Sequence, residues 1–266
     1  MTATTAPPAG DDHRDGADES GWDELANPDR ATVTVWSDLS CPWATLALHT
    51  LHEAAAERGV ELLIDHRAFP LELFNRSPTP KELVDAEVTV IAGRFPGLGW
   101  QLWHGPLHAY PATLLPAMEA VQAAKNPAVG GLRASDELDQ ALRHAFFVDS
   151  QCISIHPVIL DIAERCATVD NRELARLLAH GQGRAEVYRQ WRTGQGPGVQ
   201  GSPHIFAAAG AFTVHNPGAT YRWTARPPLG FPLQQHGLPV FENYDPTWSE
   251  ALLDDLGLAS RSTELG

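Results

Sequence analysis

No feature limits the fold of this chain more than the order of patterns over residues 31–69. Ala31–Trp36 reads ATVTVW. Valine alternates with threonine there, and β-branched residues at period two predict a strand. Ser37–Ser40 is a short polar turn, and CPWATLALHTLHEAAAERG follows from Cys41. Ala44, Ala47, Leu48, Leu51 and Ala55 fall on one face of a helix, and Gly59 stands where a helix stops. Val60–Phe69 predicts a second strand. Strand, helix and strand in so short a span form a βαβ unit. The two strands should therefore lie parallel in one sheet, and the fold class is α/β.

A long helical stretch interrupts that unit. It runs from about Thr79 to Arg192, with Thr79 expected as N-cap and Pro80 as the first helical residue. Leu138, Ala141, Leu142 and Ala145 make one apolar stripe, and Ile159, Ile162, Ala163 and Cys166 another. Strand patterns return at Pro203–Ala208 and Ala211–His215, which predict a hairpin. A proline-rich stretch, 217–239, and a helix near Thr247–Leu256 follow. The resulting division is a core from 30–78 and 193–258, with a helical insertion from 79–192.

Residues 1–29 carry almost no large apolar side chains beyond Trp22 and Leu25. Such a stretch cannot bury enough surface to offset its ordering entropy, so a disordered tail is expected. It is acidic: the first 30 residues hold eight carboxylates against Arg14 and Arg30. The whole chain has a net charge of −14 and no basic run, which argues against nucleic acid as a partner. No apolar stretch reaches the roughly 18 residues of a membrane span. The start lacks the pattern of a secretory signal, and three cysteines do not make a disulfide framework. Cytoplasmic localisation is the expectation.

Chemistry points to Cys41. It follows a strand and a turn and opens a helix. Pro42 suits the first helical position, where its missing N–H is not needed. A thiol there meets the positive end of the helix dipole and free N–H donors, so its pKa is expected to fall below about 8.5. Far along the chain, Ser202-Pro203 heads a strand, a position where a cis peptide is accommodated.

The succession of strand, CPW, helix and strand, then a helical insert, then Gly201-Ser202-Pro203 before a hairpin, resembles the DsbA family of the thioredoxin superfamily. HRAFPLEL (66–73) and AFFVDSQCISIHPVILDIA (145–163) add to the likeness, which extends over about 31–215. It looks most like the FrnE-like cytoplasmic branch, related to kappa-class glutathione transferases and 2-hydroxychromene-2-carboxylate isomerases. The resemblance implies a thioredoxin fold with a large α-helical insertion. It makes Cys41 the nucleophile and Pro203 a cis-proline facing it. Ser202 would offer backbone groups to a bound thiol or peptide, and Pro42 and Trp43 would shape the rim.

One departure matters. The family's usual site is Cys-x-x-Cys, whereas this chain has Cys41-Pro42-Trp43-Ala44. Without the second thiol, a mixed disulfide has no neighbour in the motif to release it. The leading expectation is a monothiol oxidoreductase whose mixed disulfide is resolved by a low-molecular-weight thiol of the glutathione or mycothiol type. A thiol-dependent transferase or isomerase acting on a small aromatic or polyketide-like substrate is the second reading, and a redox-inactive binding protein the third. Cys152, in a polar turn, is a candidate substitute for the missing cysteine, while Cys166 reads as structural. Asn75 or Arg76 could meet a thiol's carboxylate. His49 and His52 face away from the apolar stripe and should be solvent-exposed. Neither they nor His104 and His108 complete a metal set, so no metal and no tightly bound cofactor is expected. Partners would be a small thiol and a disulfide or small organic substrate, with a homodimer left open.

Overall fold

The computed structural model describes residues 24–224 and 237–258. Strand β1 (Thr32–Ser37) lies beside β2 (Leu63–Ala68), parallel to it as the βαβ pattern requires, with Val33 opposite Ile64 and Val35 opposite His66. Helix α1 (Pro42–Arg58) makes the crossover. It ends where Gly59 takes a left-handed conformation, φ 64°, and donates its N–H to Ala56. Strand β3 (His204–Ala207) runs antiparallel to β1, and β4 (Phe212–His215) antiparallel to β3. The sheet order is β2-β1-β3-β4. This is a thioredoxin fold.

All six residues of β1 are buried. Its valines, with Ile205 and Ala207, pack on Leu48 and Leu51 of α1 and on Leu252 and Leu253 of α9 (Thr247–Asp255). The opposite face holds Trp36, Phe206 and Phe69 with Leu25 and Ala26. Of the expected tail, residues 1–23 lie outside the described residues. Residues 24–29 are placed: Ala26 is buried, the Asn27 N–H donates to Thr34 Oγ1 at 2.7 Å, and the Leu25 carbonyl accepts from the Trp36 indole at 2.8 Å. These bonds satisfy polar groups on a strand buried on both faces.

Between β2 and β3 come a short helix, α2 (Leu71–Asn75), and the insertion. The insertion comprises α3 (Lys81–Arg94), α4 (Leu115–Ala124), α5 (Gly131–Phe147), α6 (His156–Ala163), α7 (Asn171–Ala179) and α8 (Arg184–Thr193). The expected stripes of α5 and α6 share one large core. Thr79 is not the cap expected of it. Pro80 holds the N-cap position of α3, and the buried Thr79 hydroxyl lies 3.5 Å from Ser40 Oγ. Pulling Thr79 onto the turn before Cys41 moves the helix start one residue on. Among the described residues no helix is long and apolar enough to cross a membrane.

Two polar joints fasten the insertion to the sheet. The first covers β2, an edge strand with unpaired backbone groups. The Ala68 N–H donates to Gln190 Oε1 at 2.7 Å, and the His66 carbonyl accepts from Gln122 Nε2 at 2.9 Å and from Lys125. Gln190 also donates to Gln122 at 2.9 Å. Side chains of the insertion thus take the place of a further strand.

The second joint is Arg143 of α5, only 3% exposed. Its guanidinium pairs with Asp139 at 2.6 Å. It also donates to the Asp38 carbonyl and Thr45 Oγ1, each at 3.0 Å, and to Ser37 Oγ at 2.8 Å. Breaking a buried pair leaves an uncompensated charge and costs about 3–5 kcal/mol. Arg143→Met is therefore expected to lower the unfolding free energy by about that amount in urea titration. Joint removal with Asp139→Leu should recover much of it, and a loss no smaller in the double variant would contradict this account.

Candidate active site

The turn from Ser37 to Cys41 is built on Asp38, which is 1% exposed. Its Oδ1 accepts from the Ser40 N–H and Ser40 Oγ, both at 2.7 Å, and its Oδ2 from the Leu71 N–H at 2.8 Å. Its own N–H donates to Ser202 Oγ at 2.9 Å. Burial holds its carboxyl above the usual range against these bonds and Arg143. One side chain thereby ties the turn to β3 and to the segment after β2.

Cys41 is the N-cap of α1, extended at φ −79° and ψ 111°, with Pro42 at the first helical position. Its Sγ lies 3.3 Å from the Ser202 carbonyl, and the Ser202–Pro203 peptide is cis. The Pro203 carbonyl accepts from the Asn216 N–H at 3.0 Å. His204 anchors this loop: its Nδ1 accepts from the Gln200 N–H at 3.1 Å, so Nε2 carries the proton that goes to Thr213 Oγ1 at 2.9 Å. Burial and the neighbouring His215 bring its pKa down to about 4. Cys41, Pro42, Trp43, Ser202 and Pro203 are thus assembled in one place.

A second sheet closes over them. Strands β5 (Ala219–Trp223) and β6 (Pro239–Tyr244) form an antiparallel hairpin. Within it Tyr221 stacks flat on Trp43 with centroids 4.0 Å apart, and Phe241 meets Trp43 edge-on at 5.0 Å. Arg94 lies 5.1 Å above the Phe241 ring. The Trp43 indole N–H donates to Glu87 Oε1 of α3 at 2.9 Å. Gly218, φ 72°, sets the start of the hairpin. A Cβ there would lie 2.4 Å from the Asp245 carbonyl, which is backbone and cannot give way. The cover leaves Cys41 6% and Trp43 3% exposed.

This burial corrects the pKa expected from the helix N-terminus. The Ala44 N–H and the Ser202 contact do favour the thiolate, as dipole reasoning requires. Desolvation outweighs them, and the charges of Glu87 and Asp38 add to it, so the Cys41 thiol is pushed up to about 12. With the hairpin closed the sulfur is a neutral thiol facing a carbonyl.

Cys152 is partly buried, Cys166 is 9% exposed, and all three cysteines are free. Among the described residues no contact joins Cys152 to Cys41. Burial raises Cys166 to about 11. Asn75 and Arg76 end α2, Arg76 in a left-handed conformation with φ 54°, and neither touches Cys41. The expected exposure of His52 is also corrected: it is partly buried, with Nε2 3.3 Å from Asp136, because α5 packs beside it. A cavity of about 610 Å³ opens there, lined by His49, His52, Trp100 and His144, and one of about 540 Å³ lies across Gly97–Leu98, lined by Glu53, Arg94 and Tyr244. Cys41 lines neither. No group of three or more His, Cys, Asp or Glu among the described residues is arranged to hold a metal ion.

Sequence reasoning missed Glu87, Tyr221, Asn216 and Arg143. The His215-Asn216-Pro217-Gly218 turn was legible, but nothing in it showed that Asn216 Nδ2 would reach the Tyr221 hydroxyl at 3.4 Å. The stacked cover is testable. Aromatic pairs contribute about 0.5–1.5 kcal/mol beyond their area. Tyr221→Ala should therefore speed alkylation of Cys41 in the native protein by at least about twofold to tenfold, read by mass spectrometry with Cys152 as internal reference. An unchanged ratio would mean the hairpin does not limit access.

A family model described as DSBA-like thioredoxin domain matches residues 32–219. No curated protein sequence matches the chain. Among solved structures, the cytosolic disulfide reductase DsbM from Pseudomonas aeruginosa is similar, with a TM-score of 0.51 at 18% identity, covering 86% of this chain and 100% of that one. A probable DsbA oxidoreductase from Streptomyces coelicolor gives a TM-score of 0.54 at 17% identity, covering 88% and 92%. A 2-hydroxychromene-2-carboxylate isomerase gives 0.50 at 15%, covering 69% and 87%. At these identities the structures speak for the fold alone, whereas the family match spans well over half of the sequence. With Cys41 at the head of α1 and Ser202-Pro203 opposite it, the chain belongs to the DsbA-like thioredoxin domain family.

Proposed function

We propose that this protein is a thiol–disulfide oxidoreductase working with a single cysteine, Cys41, and that a low-molecular-weight thiol from solution completes its cycle. The observation that carries this reading is the isolation of Cys41. Its sulfur lies 3.3 Å from the Ser202 carbonyl beside Pro203, Ala44 stands fully buried where a second thiol would stand, and neither other cysteine touches it.

The chemistry follows from that isolation. Take a mixed disulfide between a substrate and a small thiol. The Cys41 thiolate attacks the small thiol's sulfur, forming one S–S bond and expelling the substrate as thiolate. A second small-thiol thiolate then attacks that same sulfur. It leaves as a symmetrical disulfide and returns Cys41. One mixed disulfide and one small thiol become one substrate thiol and one small-molecule disulfide. A thiol of glutathione or mycothiol type fits the role, and a reducing cytoplasm fits the supply. Pro42, Trp43, Ser202 and Pro203 frame the approach of that sulfur.

A second reading has one observation in its favour. The surface over Cys41 is aromatic, with Trp43, Tyr221 and Phe241 in contact, and an aromatic-lined site suits a small flat substrate held beside a thiol adduct. Isomerisation of such a substrate would need the thiol without consuming it.

Two variants test the leading reading. Cys41→Ser should abolish exchange, and retained exchange would refute it. Ala44→Cys should return the missing internal nucleophile. Release of the mixed disulfide is then expected to lose its dependence on small-thiol concentration, because the internal attack runs at high effective molarity. A first-order dependence on small thiol in both proteins would show that release is not what limits the cycle.

A further inference from the structure

A single-cysteine cycle moves a proton at each of its two steps. Cys41 must lose one before it attacks, and the departing thiolate must gain one. In the second step the incoming thiol loses a proton and Cys41 regains it. A solvent-exposed site would hand these to water. Cys41 is 6% exposed, so a protein group has to serve.

Two carboxyls bear on the Cys41 sulfur, Asp38 and Glu87. Asp38 is occupied, its two oxygens accepting from the Ser40 N–H, Ser40 Oγ and the Leu71 N–H. Glu87 has a single hydrogen-bond partner among the described residues, the Trp43 indole, two residues from Cys41. No ion pair holds it: Lys81 of the same helix pairs with Asp85, and Arg94 lies over Phe241. The remaining titratable group facing it is the Tyr221 hydroxyl of β5, above the same tryptophan. Tyr221 is held protonated by burial and by the charges of Cys41 and Glu87.

We propose that Glu87 exchanges the proton with the Cys41 sulfur, so that the buried cluster carries one negative charge that moves between carboxylate and thiolate. This rests on the monothiol reading above and adds the group that makes it work. Charge balance favours the arrangement. Ionising the thiol beside an ionised carboxylate would bury two like charges; moving the proton from sulfur to Glu87 keeps the total at one. Burial already places Glu87 near the required affinity, lifting it to about 7. In the attack step Glu87 takes the Cys41 proton, through one water as the hairpin lifts, and gives it to the departing substrate thiolate. In the release step it takes the proton of the incoming small thiol and returns it to Cys41. Glu87 ends each step as it began.

The experiment separates proton exchange from mere repulsion. In the full-length protein, single-turnover exchange of Cys41 with an aromatic disulfide is followed against pH, and Cys41 alkylation by iodoacetamide is followed in parallel. The wild-type exchange rate should rise through a step near pH 7. Glu87→Gln keeps an oxygen for the Trp43 indole but cannot take a proton. It should erase that step and slow exchange at pH 7.5 by about tenfold or more. Its alkylation midpoint should move to lower pH, since the opposing charge is gone. If Glu87 only repels the thiolate, the same variant exchanges faster, and that result, or an unchanged rate, overturns the proposal. Glu87→Asp, a carboxylate on a shorter stem, should keep the step with part of the rate. Should Glu87→Gln fail to fold, a wild-type profile with no inflection between about pH 6 and 8 overturns the proposal by itself. The alkylation arm needs no turnover. A shifted alkylation midpoint in a protein whose exchange does not depend on Cys41 would refute the monothiol cycle while leaving the Glu87–Cys41 coupling in place.

Discussion

Asp38 has to be satisfied before anything else here can form. A carboxyl taken fully out of water is expensive unless hydrogen bonds replace its hydration, and the three donors that do so come from its own turn and from Leu71. Its N–H reaches Ser202, and its carbonyl is held by Arg143 from the insertion. Four segments distant in sequence therefore meet at one residue, three positions before the thiol. The position of Cys41 against Ser202 is a by-product of that convergence. Cys41 itself contributes no side-chain cap to its helix.

The parts legible in the sequence are those where local pattern and tertiary need agree. The Val/Thr alternation of β1, the apolar face of α1 and the Gly59 stop each follow from near neighbours, and the structure contains them. The stripe of α5 was readable for the same reason. The start of α3 was not, because Thr79 left its capping position to meet Ser40 across the fold. Residues 24–29 looked too polar to order, yet their backbone and Leu25 complete a strand that has no water on either face. Neither outcome can be read from a window of sequence.

The candidate site divides in the same way. Cys41, Pro42 and Trp43 are adjacent in sequence, and Ser202-Pro203 was recognisable through family likeness. The cover was invisible: Tyr221 and Phe241 sit in a proline-rich stretch with no periodic signature. Glu87 was one acid among several on a helix. The acidity of Cys41 was misjudged because dipole reasoning treats the helix N-terminus as open, whereas the hairpin makes it a desolvated pocket. Burial is a property of the assembled molecule, and here it reverses the sign of the shift.

That reversal bears on why the motif keeps a single cysteine. A dithiol site lets the second sulfur carry charge and protons within the motif. With Ala44 there, the motif offers only one sulfur, and in the closed state that sulfur holds its proton firmly. A reactive thiolate then depends on two things outside the motif: a cover that can lift and a neighbouring group that can hold a proton. The structure places both on Trp43. One face of its ring stacks on the hairpin at Tyr221, and its indole N–H binds the Glu87 carboxyl. Uncovering the sulfur breaks the stack at the same residue whose other contact orients the carboxyl. Access and deprotonation are therefore linked through one side chain, two residues from the nucleophile.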